Sequence, residues 1–341
     1  MRHLLRRTLH AAIVVVLAAP ALAIGQGEDI AKILADARKA LGGEKLAAVK
    51  SLAATGRTQR TRPDGTSSES EFELVLELPD KFMKREVVMA MGPTSVYRMT
   101  GFNGDGLISE VDTPPQLSTG GAMIRMMPAG GAMPGQTLSP EQVAENNKRI
   151  LTTNKQEFAR LALGMFASSF GAYPLEFTYG GVAESADGKA HVIDVRGEAG
   201  FTAKLFVDTQ THLPLMLSWM DKEPLQITMG GPGRGMAAGG GNMQLMMHGG
   251  AVGGGARPSQ AELDKMQKDM EAAMKEAEAK RRTVEYRLFY ADYQTFAGVK
   301  LPTRIQRMID GTPTDELSFD KIQVNAKIDP KKFTPTKMDK E

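Results

Sequence analysis

The residues in this chain that could do chemistry fall into two groups. The first is Asp208 and His212, four apart, a spacing that across a turn brings a carboxylate to an imidazole and would suit an orienting group and a general base. Turn-forming residues surround the pair, and an aspartate that hydrogen-bonds its own turn is the simpler account. Beyond the first 23 residues the histidines are His191, His212 and His248. Neither Gly-x-Ser-x-Gly nor His-Glu-x-x-His occurs, and no phosphate loop ending in Gly-Lys-Ser/Thr does either. No catalytic residue is assigned, and the expectation is a non-enzyme.

The second group is methionine in two glycine-rich segments: Met126, Met127 and Met133, then Met243, Met246, Met247 and His248. Thioethers are soft donors that select Cu(I) in an oxidising compartment, so Met243, Met246, Met247 and His248 form an alternative metal site. Methionine is equally an adaptable apolar filler. Without repeated Met-x-x-Met units neither metal nor cofactor is assigned, and the Cu(I)-binding envelope protein stands as a rival reading. A further possibility is that both segments fold over an apolar ligand.

The start of the chain bears on compartment. Arg2, Arg6 and Arg7 precede an apolar run at 11–19 and the small-residue site Ala21-Leu22-Ala23, the pattern of a secretory signal peptide cleaved near Ala23. Without residues 1–23 the chain carries 39 Lys+Arg against 40 Asp+Glu, so no basic footprint for nucleic acid remains. There is no cysteine, hence no disulfide and no lipid-anchoring cysteine after the signal sequence. A soluble periplasmic or secreted protein is expected, with 24–341 as one domain.

The elements that must position any site are mostly strands. Ile30, Ile33, Leu34, Ala37 and Leu41 have helical spacing, Gly42-Gly43 stops that helix, and a short one follows at 44–49. Strands are expected at 51–60, around Phe72–Leu78, and at 81–91, 94–102 and 107–111. Phe72, Leu74, Leu76 and Leu78 alternate with Glu71, Glu73 and Glu77, the period-two mark of a sheet with one wet face. Ser139-Pro140-Glu141-Gln142 forms a capping box for a helix to about Ser168, with an apolar stripe of Val143, Ile150, Leu151, Phe158, Leu161 and Met165. Strands resume at 175–184, 190–196, 201–207, 213–219, 284–293, 299–309 and 316–324. Two stretches interrupt them. One is a Gly/Met-rich loop, 112–138; the other is an insertion, 222–282, made of a Gly/Met-rich segment (229–256) and a charged helix (259–282) with a Leu263, Met266, Met270, Met274 stripe.

Taken together the chain resembles the periplasmic lipoprotein-carrier family, the LolA/LolB-like proteins and their outer-membrane lipoprotein-sorting relatives. The resemblance rests on the exported N-terminal helix, the Leu78-Pro79-Asp80-Lys81 reversal and the hairpin from Phe206-Val207-Asp208 to Leu213-Pro214. It rests also on the ending Phe319–Asn325 to Ile328–Phe333. It implies an α+β, mainly antiparallel β fold: a curled sheet forming an incomplete barrel, with helices on its open side and an apolar interior that receives acyl chains. Under it Leu74, Leu76, Leu78, Phe201, Leu205, Val207, Tyr286, Leu288 and Tyr290 are the candidate lining, although any sheet must bury one face whether or not a ligand sits there. The implied partners are lipid or lipoprotein acyl chains and a membrane-bound donor or acceptor protein. A non-enzymatic envelope interaction module with a filled core remains the third reading.

Overall fold

The structure, a computed structural model, describes residues 30–62, 65–91, 94–112, 139–186, 188–224, 268 and 272–336. Helices α1 (Ile30–Ala40) and α2 (Glu44–Ala47) precede β1 (Ser51–Thr61), β2 (Ser67–Glu77), β3 (Lys81–Met91), β4 (Thr94–Asn103) and β5 (Gly106–Asp112). Helix α3 (Pro140–Phe166) leads into β6 (Leu175–Ser185), β7 (Gly188–Gly197), β8 (Thr202–Asp208) and β9 (Pro214–Lys222). The chain ends with β10 (Thr283–Phe296), β11 (Val299–Ile309), β12 (Thr312–Val324) and a 3-10 turn, Pro330–Phe333.

All twelve strands belong to one antiparallel sheet in the order β5-β4-β3-β2-β1-β12-β11-β10-β9-β8-β7-β6. The sheet is not closed, and the expected α+β fold, an open antiparallel sheet with helical cover, is the one adopted. β5 and β6 are consecutive in the chain yet stand at opposite edges. The intervening chain must therefore pass from one edge to the other, and α3 lies on that path. Its 27 residues span about 40 Å at 1.5 Å per residue, and it packs against β4 and β5 toward one edge and β9 and β11 toward the other.

The start of α3 is the predicted one. Ser139 Oγ accepts from the Gln142 backbone N–H at 3.2 Å while Gln142 Oε1 accepts from the Ser139 N–H at 2.9 Å, which satisfies two of the helix's orphan donors. The predicted stripe is only half used. Phe158 and Met165 are buried, Leu151 and Leu161 pack partly against the core, and Val143 is exposed. Residues 140–145 are all exposed, so Val143 lies in a first turn that packs on nothing.

One continuous core lies on the inner face. It joins Leu52, Leu74, Leu76, Phe82 and Phe102 from one half of the sheet to Ile193, Leu205, Leu217, Leu288 and Ile305 from the other, with α1 contributing Ile33, Leu34 and Ala37 and α3 Phe158, Leu163 and Met165. A smaller outer-face cluster, Val75, Met83 and Ile108, is covered by Ile328 and Phe333 of the C-terminal segment. That segment is held by Asn103, which donates to the Phe333 carbonyl at 3.1 Å, and by Thr336, whose N–H donates to the Leu107 carbonyl at 2.9 Å.

Two expected boundaries move. Asp112 ends β5, and Lys222 pairs with Thr283, so the loop and the insertion each leave the sheet later than expected: a strand continues while its neighbour offers a ladder partner. Of the expected helix at 259–282, residues 268 and 272–280 are helical, and Lys280 pairs with Glu276 at 2.5 Å. Leu263, Met266, Met270 and the segment 229–256 lie outside the described residues.

Gly164 sets how closely α3 approaches the sheet. A Cβ there would lie 2.1 Å from the Tyr290 ring. Helix propensity alone favours alanine over glycine by about 1 kcal/mol, whereas forcing a methyl group into a packed contact costs about 1–3 kcal/mol. Gly164→Ala is expected to lower stability in urea or guanidinium unfolding; a higher midpoint would show that the contact is loose.

Candidate functional site

The inner face is the one place where the predicted residues meet. Leu74, Leu76, Phe201, Leu205, Val207, Leu288 and Tyr290 are buried in the single large core cluster, and Leu78 and Tyr286 pack against it. Cross-strand register accounts for this. Leu288 stands opposite Leu217, Tyr286 opposite Trp219, and Leu205 opposite Leu217 on its other side, so alternation on each strand delivers its apolar set to the same side. Helix α3 caps these residues mainly with its C-terminal third. Residues 158–160 and 162–166 are buried, whereas every residue from 140 to 157 is at least partly accessible. Phe158 is the anchor, its ring 5.5 Å from Phe102, 5.7 Å from Phe82 and 5.9 Å from Phe170.

Within this apolar setting lies a polar layer that the sequence reading did not single out. Arg160, on α3, is 8 % exposed. Its guanidinium carbon lies 4.5 Å from the centroid of the Trp219 ring and 5.2 Å from that of Phe201, a stack that favours a cation held against π-faces away from water. Trp219 in turn stacks on Tyr286 with centroids 5.3 Å apart. Below, the Tyr290 hydroxyl donates to the Arg160 carbonyl at 2.8 Å and the Tyr293 hydroxyl to the Pro214 carbonyl at 2.7 Å. Burial pushes both phenols up, so they stay protonated as donors.

The carboxylate serving Arg160 is shared. Glu157 Oε1 lies 3.8 Å from Arg160 Nη1, and Glu157 Oε2 lies 3.4 Å from Arg307 Nη2. Desolvation pushes the Glu157 carboxyl up, but Arg307 and Arg160 outweigh it and hold its pKa below the ordinary value. One clue to this layer was available: Arg160 sits inside Phe158–Phe166, an otherwise apolar run, and Trp219 is the only tryptophan. The shared carboxylate left no such trace, because Arg307 is about 150 residues away in sequence.

A charged row continues across the sheet. Arg307, Asp315 and Arg60 are cross-strand neighbours on β11, β12 and β1. Arg60 contacts Asp315 at 3.4 Å and Glu86 at 2.9 Å, and Lys84 contacts Glu86 at 3.0 Å. Burial works to raise the Glu86 carboxyl, yet the charges of Lys84 and Arg60 overcome it and hold the pKa at about 2. A carboxyl lowered on folding stabilises the protein above its unfolded value, near 4.5, and loses that stabilisation as pH falls toward 2. The amount is about 3 kcal/mol. Glu86→Gln is expected to be less stable than the unaltered protein at neutral pH, with the gap closing between pH 4.5 and 2 in denaturant titrations at stepped pH. A pH-independent gap would rule out this role for the charge.

Asp208 and His212 are turn residues, as the simpler account has it. Asp208 Oδ1 accepts from the Gln210 and Thr211 N–H groups at 2.9 and 2.6 Å and from the Thr211 hydroxyl at 2.9 Å, while His212 takes a positive φ of 57°. Asp208→Ala is expected to cost about 1 kcal/mol through loss of these bonds, a loss measurable as a shift of the denaturation midpoint. Met243, Met246, Met247 and His248 lie outside the described residues.

The chain as a whole is similar to several solved structures. A DUF1329 family protein from Desulfovibrio piger matches at 8 % identity, covering 89 % of this chain and 97 % of the other, with a TM-score of 0.43. A LolA superfamily protein from Nitrosomonas europaea matches at 11 % identity, covering 89 % and 96 %, with a TM-score of 0.43. An outer membrane lipoprotein-sorting protein domain from Vibrio parahaemolyticus matches at 8 % identity, covering 88 % and 94 %, with a TM-score of 0.39. Both groups that the sequence resembles are thus among the similar structures. No family profile and no curated protein matches the chain.

Proposed function

We propose that the chain is an exported carrier or binding protein, periplasmic or secreted once a signal peptide is removed near Ala23. In this reading it reversibly holds the acyl chains of a lipid or lipoprotein against the inner face of its open sheet, and no covalent chemistry is involved. One observation carries it: the apolar residues of both halves of the sheet converge under a single helix that is buried only within its last third, Phe158–Phe166. Closed, that face is filled by α3; lifted, the same face offers an acyl chain what Phe158, Leu163 and Met165 now occupy. Burial of even a ten-carbon chain supplies several kcal/mol at about 0.8 per CH2, enough to compensate for part of the lost helix contacts. A membrane-bound donor or acceptor protein with its own affinity for the acyl chain would set the direction of transfer. Among the described residues no helix is long and apolar enough to cross a membrane.

Titration of the purified chain with a fluorescent long-chain fatty acid is expected to show saturable, one-to-one binding. Phe158→Ala, which removes the anchor of α3, is expected to raise the affinity while lowering stability by about 3–5 kcal/mol. No saturable binding by either protein would end the carrier reading.

A further inference from the structure

The layer around Arg160 holds more hydrogen-bond donors than acceptors. Arg160 Nε and Trp219 Nε1 are both buried, and neither has a hydrogen-bond partner among the described residues. The two side chains touch, the guanidinium resting on the indole ring, and Arg307 approaches the same carboxylate as Arg160. Glu157 is the one carboxylate within ion-pair reach of Arg160 among the described residues, and it is shared with Arg307, which also feels Asp315 across the strand pair. The Glu157 contacts, at 3.8 and 3.4 Å, are long, and its side chain is 46 % exposed. Asp221, further along β9, acts on Arg160 only through its field.

The chemistry of the missing partner follows from the donors. Guanidinium and indole groups donate and cannot accept, so only an acceptor completes them, and a buried Arg160 guanidinium met by one shared carboxylate at 3.8 Å favours an anion. Phe201, Tyr286 and Leu288 surround the position with apolar surface. We propose that this layer is a headgroup subsite, in which Arg160, Arg307 and Trp219 Nε1 bind the carboxylate or phosphate of an anionic amphiphile whose tail lies along the inner face. The inference rests on the carrier reading and narrows its ligand to acidic lipids. Glu157 is then a resident competitor: it occupies the arginines in the absence of ligand and swings toward solvent when the headgroup arrives.

The protein carries its own reporter, since Trp219 is the only tryptophan. Its fluorescence in the full chain is followed during titration with laurate, with dodecanol as a neutral amphiphile of equal chain length, and with inorganic phosphate. Laurate is expected to bind about tenfold more tightly than dodecanol, the discrimination that one charge-assisted pair provides. Arg307→Gln, which removes one cation at a partly exposed position, is expected to bring laurate down toward the dodecanol affinity. Glu157→Gln, at a half-exposed position that tolerates the change, is expected to tighten laurate alone. Equal binding of laurate and dodecanol by the unaltered protein overturns the headgroup subsite and leaves the carrier reading standing. A response to phosphate with none to either amphiphile keeps the anion subsite and ends the carrier reading. Silence toward all three overturns both. Unaltered or weaker laurate binding by Glu157→Gln counts against the competitor role and, with it, the proposal.

Discussion

The whole arrangement depends on one topological constraint: the two edge strands of a twelve-stranded sheet are consecutive in the chain. A sheet that stays open must bury one face with something other than itself, and here the connection from β5 to β6 has to cross that face in any case. Helix α3 meets both requirements. The meander β1–β5 runs outward from the centre, and β6–β12 returns from the far edge, so that β1 and β12 pair in the middle. This leaves α1 at one end of the inner face and the C-terminal segment free to seal the outer face, where Phe333 covers Val75 and Met83.

The fit between strap and sheet is graded along α3. Its C-terminal half is apolar and close, with Gly164 against Tyr290 and Phe158 among three other phenylalanine rings. Its N-terminal half is accessible throughout, reaching β4 and the β4–β5 turn through Asn154 and Lys155, and Glu157 meets the charged row at Arg307. Arg160 and Glu157 mark the junction. Burying an arginine is costly unless its charge is met, and here ring faces and one shared carboxylate meet it incompletely. An imperfectly satisfied charge at the boundary of a packed helix weakens that boundary and not the whole contact, because the phenylalanine cluster lies on the other side of it.

Most of the strand pattern was legible in the sequence because alternation is a local property: Phe72, Leu74 and Leu76 against Glu71, Glu73 and Glu77 declare their face without knowledge of any partner. The capping box at Ser139 is local too, and so is the use of Asp208 in its own turn. What escaped was whatever depends on neighbours distant in sequence. Val143 continues the helical stripe of α3 but lies in a first turn that packs on nothing, and Lys222 stays in β9 only because Thr283 pairs with it. The nine apolar candidates lie in or against one core cluster, a grouping that period two suffices to produce. The polar layer was missed because Arg160, Trp219 and Arg307 come together only once α3 crosses β9 and β11.

That crossing also explains why polarity and apolar burial share one face in place of segregating to opposite sides. On an ordinary two-layer sheet the charged residues of alternating strands point to water. Here the outer face already carries its own pairs, such as Arg57 with Asp320 and Arg304 with Asp292, so the inward charges are not displaced surface residues. They occupy inward positions along adjacent strands: Lys84 and Glu86 follow Phe82, Arg60 follows Thr58, and Arg307 follows Ile305. Each strand thus passes from apolar to charged at a similar height, and the face as a whole is divided into an apolar floor and an ionic margin. A surface divided in this way has the polarity of an amphiphile, and α3, apolar toward its C-terminus and polar toward its N-terminus, covers it with matching polarity.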